Sequence, residues 1–235
     1  IRIFTICYFM STDDISKVIL VNKPLEWTSF DVVKKIRSVI KRRYNLSKLK
    51  VGHAGTLDPK ASGLLIVCTG KKTKTIKQFE NLDKTYVAII KIGCVTDSFD
   101  SETKEKKHKG YSNISVVEIK NIFKEFEGLQ QQIPPLFSAI KINGERLYKK
   151  ARRGDTSIKL KPRNITIHKI TLLEFNPPFV KFEVKCSKGT YIRSLASDIG
   201  KKLLCGAYLY SLERSHIGQY NLKEAKDLND IQYGF

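Results

Sequence analysis

Residues 52–63 read GHAGTLDPKASG and lead directly into the apolar run LLIVC at 64–68. Glycines at 52, 55 and 63 permit tight backbone geometry and close approach of a ligand. Pro59 fixes the backbone immediately after Asp58 and so limits where the carboxylate can point. Leu57 is apolar and can anchor the turn in a core. Two readings fit this local pattern. An Asp-Pro turn is a common way of joining two elements. A rigidly held carboxylate can also act as a nucleophile and form a covalent intermediate. The second reading requires a positive partner, a surface for the substrate and exclusion of water.

The composition says what kind of substrate to look for. Of 235 residues, 41% are hydrophobic, enough for a core and too many for a disordered chain. Lys plus Arg number 43 against 23 Asp plus Glu, a net charge of +20. The excess runs from Lys17 to Lys226 rather than forming a tail, and a folded domain this basic expects a polyanion. Solubility, or the lysine bias of an AT-rich genome, is the plainer account of the same charge. Five cysteines, at 7, 68, 94, 186 and 205, form no CxxC pair, so neither a disulfide framework nor a zinc site is expected and a reducing cytosol fits. The histidines at 53, 108, 168 and 216 have no ligand spacing. No apolar run approaches the ~18 residues of a membrane helix.

Along the chain, VILV at 18–21 reads as a buried strand stopped by Pro24. Thr28 or Ser29 caps a helix to about Tyr44, with Val32, Val33, Ile36, Val39 and Ile40 as its apolar stripe and six Lys/Arg on its other faces. Leu64–Cys68 and Thr85–Val95 read as strands, and 97–113 as an exposed polar loop. Ser115, with Glu118 at capping-box spacing, starts a helix to Phe126. Val180–Cys186 alternates apolar and charged residues as a half-buried strand, and a helix runs from about Thr190 to Leu204. Strands and helices mix without βαβ alternation, so the class is α+β in one domain over 17–235.

Other chemistries find no support. A P-loop would need glycine where Leu65 stands, and no GxGxxG, HExxH or GxSxG occurs. Arg193, in SKGTYIR, is a candidate cation for Asp58, or else an ordinary surface ion pair. Lys141–Arg163 carries nine Lys/Arg and two acids, the composition of a basic insert that follows a phosphate backbone.

GHAGTLDPKASGLLIVCTGKKTK, taken with NKPLEWTSFD (22–31), DKTY (83–86), QIPPLFSAIKINGERLY (132–148) and CSKGTYIRSLASDIG (186–200), closely resembles the TruB family of tRNA pseudouridine synthases. The resemblance runs from about Lys17 to Tyr220. It implies the pseudouridine synthase fold, a central mixed but mainly antiparallel sheet flanked by helices, and isomerisation of uridine 55 in the tRNA T-loop with no cofactor or metal. By resemblance Asp58 is the nucleophile, whether it attacks the ribose, attacks the base or assists a glycal. Tyr86 stacks on the target base and is placed for proton removal from carbon 5, and Arg193 pairs with Asp58. Tyr191 and Leu212 line the uracil pocket, Lys23 is a basic residue near it, and His53 enters the T-loop as bases flip out. The segment 141–163, with Lys149, Arg152 and Arg153, matches the family's RNA-gripping thumb.

The chain also departs from the family. Ala54 and Ser62 replace frequent threonines, Tyr208 replaces a frequent histidine, and DSFDSETK (97–104) lacks a glycine common after the second aspartate. About 15 residues follow Tyr220, where many bacterial members carry a PUA domain, so either this is a short form or the chain is incomplete. The resemblance implies a monomer acting on tRNA, and a cytoplasmic location is expected, with an organelle as the alternative. A guide-RNA-dependent synthase and a non-catalytic RNA-binding protein are the alternatives. At the other end, Met10 is the single methionine and is expected to be the natural start, with 1–16 as an extension. Intact mass of the native protein checks this.

Overall fold

The computed structural model describes residues 15–106, 108–142, 144–155, 158 and 160–233, so the expected start at Met10 lies outside the described residues. Two compact units emerge, Ile1–Asn81 with Gln219–Phe235, and Leu82–Gly218. The chain thus leaves the first unit at residue 81 and returns to it at 219.

In the first unit, β1 (Val18–Lys23) alternates half-buried and buried residues and stops where Pro24 offers no N–H donor. Helix α1 (Ser29–Arg43) begins at Thr28, whose hydroxyl accepts from the Asp31 N–H at 3.1 Å while the Asp31 carboxylate accepts from the Thr28 N–H at 3.1 Å. This reciprocal cap satisfies two donors that a helix start otherwise leaves open. Its stripe of Val32, Val33, Ile36 and Ile40 is buried against Ile19, Val21, Val51, Leu65 and Val67 and against Leu228 and Ile231 of the C-terminal helix Leu228–Tyr233. Each such aliphatic side chain contributes about 1.5–3 kcal/mol on burial. Strand β3 (Ala61–Thr69) lies between β1 and the short β2 (Val51–Ala54), antiparallel to both. Helix α2 (Ile76–Glu80) was not evident from the sequence.

The second unit is built on antiparallel pairings. Its elements are β4 (Lys84–Ile92), α3 (Val116–Phe126), β5 (Gly128–Gln132), β6 (Lys141–Ile142), β7 (Glu145–Arg146), α4 (Leu147–Arg152), β8 (Arg163–Asn176), β9 (Phe179–Cys186), α5 (Ile192–Lys202) and β10 (Ala207–Ile217). The sheet order is β10-β4-β9-β8-β5. Ser115 caps α3 by accepting from the Glu118 N–H at 3.2 Å, and Phe123 meets Phe182 of β9 edge-on at 5.2 Å. Among the described residues of either unit, parallel pairing is confined to the isolated bridges Val21–Lys226 and Asp100–Leu209. The class is therefore α+β, as the sequence indicated.

Two expectations are corrected here. The 97–113 loop is not exposed throughout: Asp97 is exposed, but Ser98 and Asp100 are buried, as is Thr96 just before the loop. Their polar groups satisfy one another, since Ser98 Oγ donates to Asp100 Oδ1 at 2.5 Å and Thr96 Oγ1 donates to the Asp100 carbonyl at 2.7 Å. Burial of hydroxyls and a carboxylate is tolerated only with such partners. The basic segment 141–163 is also more than a loop, because it contains the β6–β7 hairpin and α4, anchored by fully buried Leu147.

Packing of α5 on β10 depends on Gly200. A Cβ there would lie 2.0 Å from the Ala207 nitrogen and 2.4 Å from the Gly206 carbonyl carbon. Alanine in a helix interior ordinarily gains about 1 kcal/mol over glycine. Here the clash is with backbone, which cannot rotate away, and overpacking costs about 1–3 kcal/mol or more. Gly200→Ala is expected to lower Tm by several degrees. A thermal melt checks this, and an unchanged or raised Tm would refute the packing argument.

Candidate active site

The first unit holds Asp58 on the connection between β2 and β3. Gly55 (φ 83°) turns the chain out of β2 in a conformation that side chains disfavour. Leu57 is buried and clamped by Ser29 at the start of α1. The Ser29 hydroxyl accepts from the Leu57 N–H at 2.8 Å and donates to the Leu57 carbonyl at 3.1 Å. On the far side of Asp58, the Glu26 N–H donates to the Pro59 carbonyl at 2.8 Å, and Lys60 meets Glu26 at 2.8 Å. Asp58 itself is half-buried between these two fastenings. The helix start and the Asp58 loop are thereby tied together, which is what a positioned carboxylate requires.

Two other candidates lie on the same unit. His53 is half-buried on β2, opposite Val67 of β3, at the entrance to the loop. Lys23 ends β1 opposite Gly63, the far end of the loop motif. Lys23 is fully buried, and its ammonium donates to the carbonyls of Pro24 at 2.8 Å and Trp27 at 2.7 Å. A buried ammonium needs such acceptors, and here they also fix the 24–27 turn.

The second unit carries Tyr86, Tyr191, Arg193 and Leu212. Tyr86 sits on β4, 8% exposed, opposite Val184 of β9 and Arg214 of β10. Leu212 pairs with Ala88 two positions along the same strands, so it shares a sheet face with Arg214. Tyr191 precedes α5, held by Gln132: its N–H donates to Gln132 Oε1 at 2.7 Å and its carbonyl accepts from Gln132 Nε2 at 3.1 Å. Arg193, in the first turn of α5, is not a surface residue. It is 5% exposed, and its Nη1 donates to the carbonyls of Phe137 at 2.9 Å and Ser98 at 3.4 Å. Its Nε lies 3.6 Å from Asp100 Oδ2. A buried guanidinium is thus oriented from three sides within its own unit.

Sequence reading missed Ser29, Asp100, Gln132 and Arg214. All but Arg214 lie in motifs that had been singled out, in TSFD, DSFD and QIPP, but nothing in the residue types alone distinguished a positioning group from a surface polar one. Arg214 is 1% exposed and stands beside Tyr86 in register.

The thumb candidates divide. Lys149 is exposed on α4. Arg152 pairs with Glu102 and lies over the Tyr148 ring at 5.6 Å, and Arg153 meets Glu145 at 2.8 Å. The Arg153 guanidinium holds the Glu145 carboxyl below its ordinary range. Among the described residues, Cys94, Glu105 and His108 have donor atoms within 4.8 Å of one another. Lys91 is 2.7 Å from Glu105, and burial pushes the Cys94 thiol up, so a cation there would meet an ammonium and a protonated sulfur. The other described cysteines, Cys68, Cys186 and Cys205, are likewise buried free thiols, with Cys186 pushed up by burial to about 12.

These features have close counterparts in known proteins. The chain is 29% identical to a chain of a Cbf5-Nop10-Gar1 complex, with a TM-score of 0.71, over 95% of this chain and 56% of that one. The fold is accordingly that of the pseudouridine synthases. The pattern of the TruB family pseudouridylate synthase N-terminal domain matches residues 41–192. The chain is 47% identical over 206 residues to tRNA pseudouridine synthase B of Parabacteroides distasonis, covering 88% of this chain and 87% of that protein. It is 48% identical over 211 residues to the Bacteroides fragilis protein of the same name, covering 90% of each. The chain belongs to the TruB family.

Proposed function

We propose that the protein isomerises uridine 55 in the T-loop of tRNA to pseudouridine. The observation that carries this is the double fastening of the Asp58 loop, in a chain at least 47% identical over most of its length to proteins named tRNA pseudouridine synthase B. In the reaction the bond from ribose carbon 1′ to N1 breaks and a bond from carbon 1′ to carbon 5 forms. Carbon 5 loses its proton and N1 gains one. Asp58 acts as nucleophile, with Arg193 as its cation. Tyr86 stacks on the extruded base and serves the proton step, and Tyr191 and Leu212 wall the uracil. His53 enters the opened loop. Extrusion of a base costs on the order of a few kcal/mol, which a wedge and a stacking ring offset. No cofactor or metal is needed, because every step is proton or glycosyl transfer. The protein works as a monomer in the cytosol. No described helix is long and apolar enough to cross a membrane, and the described cysteines are free thiols.

The purified protein, incubated alone with an unmodified tRNA transcript, is expected to place pseudouridine at position 55. Product that appears only after addition of guide RNA and partner proteins would favour the guided class, to which the 29% identical Cbf5 chain points. Tight binding without product would favour a non-catalytic RNA-binding protein.

Lys149, exposed on α4, is the thumb candidate we take as the phosphate contact. Lys149→Ala is expected to weaken RNA binding and to reduce the slope of log K against log salt by about 1. An unchanged slope would remove Lys149 from the contact. Arg152→Ala and Arg153→Ala should each change the slope less, since an acid already neutralises each guanidinium.

A further inference from the structure

Three of the large exposed apolar side chains among the described residues crowd into one short segment of the first unit: Leu25 (54% exposed), Trp27 (36%) and Phe30 (53%). Their placement is imposed by the same bonds that build the Asp58 loop. The buried Lys23 ammonium grips the Trp27 carbonyl, the Glu26 N–H is tied to Pro59, and the Thr28–Asp31 cap fixes the backbone entering Phe30. Indole and phenyl rings are therefore held out to solvent on rigid backbone, one hydrogen bond from the loop that carries Asp58. Exposing such rings without a partner is unfavourable, and grouped exposure marks an interaction surface.

The surroundings say what kind of partner fits. Lys34 Nζ lies 5.0 Å from the centre of the Phe30 ring. Trp27, Glu26, Asp31, Lys34 and Lys35 line a shallow depression of about 370 Å³. Lys60 stands beside it, and the whole chain carries a net charge of +20. Aromatic faces interleaved with lysines are what unpaired nucleotides need: a ring to stack on and a cation for the phosphate. Of the acids at this surface, Glu26 is paired with Lys60 and Asp31 is bonded to the Thr28 N–H, which leaves Lys34 to meet a phosphate.

We propose that Leu25, Trp27 and Phe30 form a stacking platform for an unpaired nucleobase of the bound RNA, separate from the uracil pocket and adjacent to the Asp58 loop. This rests on the reading of the protein as an RNA-modifying enzyme. The platform gives the enzyme a hold on an RNA base that is not the one modified. It thereby lets the chain select an opened loop over a plain duplex, whose bases are not free to stack on protein.

Trp27 is the single tryptophan of the chain, so its emission reports this surface alone. The test titrates the full chain carrying Asp58→Asn with a T-arm stem-loop RNA and follows indole fluorescence, with gel shift as an independent measure of binding. A saturable fall in emission to below about half is expected, since stacking on a base quenches indole. Heparin, a polyanion without bases, should bind without that fall. In the same background, Trp27→Leu is expected to weaken RNA binding about 5- to 100-fold, while Trp27→Tyr, which keeps a ring, stays within about threefold. Gel-shift binding with unchanged emission would overturn the platform, as would equal quenching by heparin or equal affinity of Trp27→Leu. RNA-free self-association that is lost in Trp27→Leu would overturn it too, by making the surface a contact between copies. Absence of pseudouridine from the wild-type reaction, with quenching intact, would strike the activity and not the platform.

Discussion

Asp58→Asn is expected to abolish turnover, by more than about 10³-fold, while leaving RNA affinity within a few-fold of the parent. The substitution keeps the size and shape of the side chain. The fastenings on either side of it, Ser29 on Leu57 and Glu26 on Pro59, use a hydroxyl and backbone groups and do not involve the carboxylate. The loop should therefore keep these two fastenings, with the carboxylate that we propose as nucleophile lost. An amide is far too weak a nucleophile to replace it. Single-turnover conversion of a tRNA transcript measures the loss, and a filter-binding curve measures what remains. Near-normal turnover in Asp58→Asn would mean that another residue attacks.

Arg193→Met should have the second largest effect, and it should be visible in stability as well as rate. Methionine keeps much of the volume but removes the charge and the donors. Asp100, whose side chain is 6% exposed, would lose the Arg193 guanidinium, and the carbonyls of Phe137 and Ser98 would lose the Arg193 donor. Breaking one side of a buried ion pair typically costs about 3–5 kcal/mol. Asp100 retains the Ser98 hydroxyl and the Glu102 N–H, so the lower end of that range is expected. Denaturant unfolding checks the stability, and single-turnover kinetics check the rate. Arg193→Lys should recover part of the stability but little of the rate, because an ammonium cannot hold three acceptors in the geometry of a guanidinium. A variant as stable as the parent would show that the network contributes nothing to the fold.

Much of this site could be read from the chain. The GHAGTLDPKASG motif located the carboxylate and its rigid support, and Val180–Cys186 gave a strand by simple alternation. Other elements hid for physical reasons. Strand β10 breaks its alternation at two irregularities, between Leu209 and Ser211 and between Arg214 and His216, so its inward residues do not fall on every second position. Strand β8 is irregular in the same way, between Ile167 and Lys169 and between Leu172 and Glu174. The DSFD segment looked like a surface loop because its residues are polar. Ser98 and Asp100 are buried because their polar groups bond to one another and to Arg193, and such mutual satisfaction is a property of three dimensions that composition does not record. Arg193 itself was legible as a candidate cation, but its depth, and Asp100 as its neighbour, were not.

The first unit is discontinuous in the chain, and this bears on its synthesis. Leu228 and Ile231 belong to the same core as Val32, Ile36 and Leu65, yet they are separated from them by the whole of residues 82–218. A ribosome making this protein therefore delivers the segment that bears Asp58 well before Leu228 and Ile231, which complete the core around it.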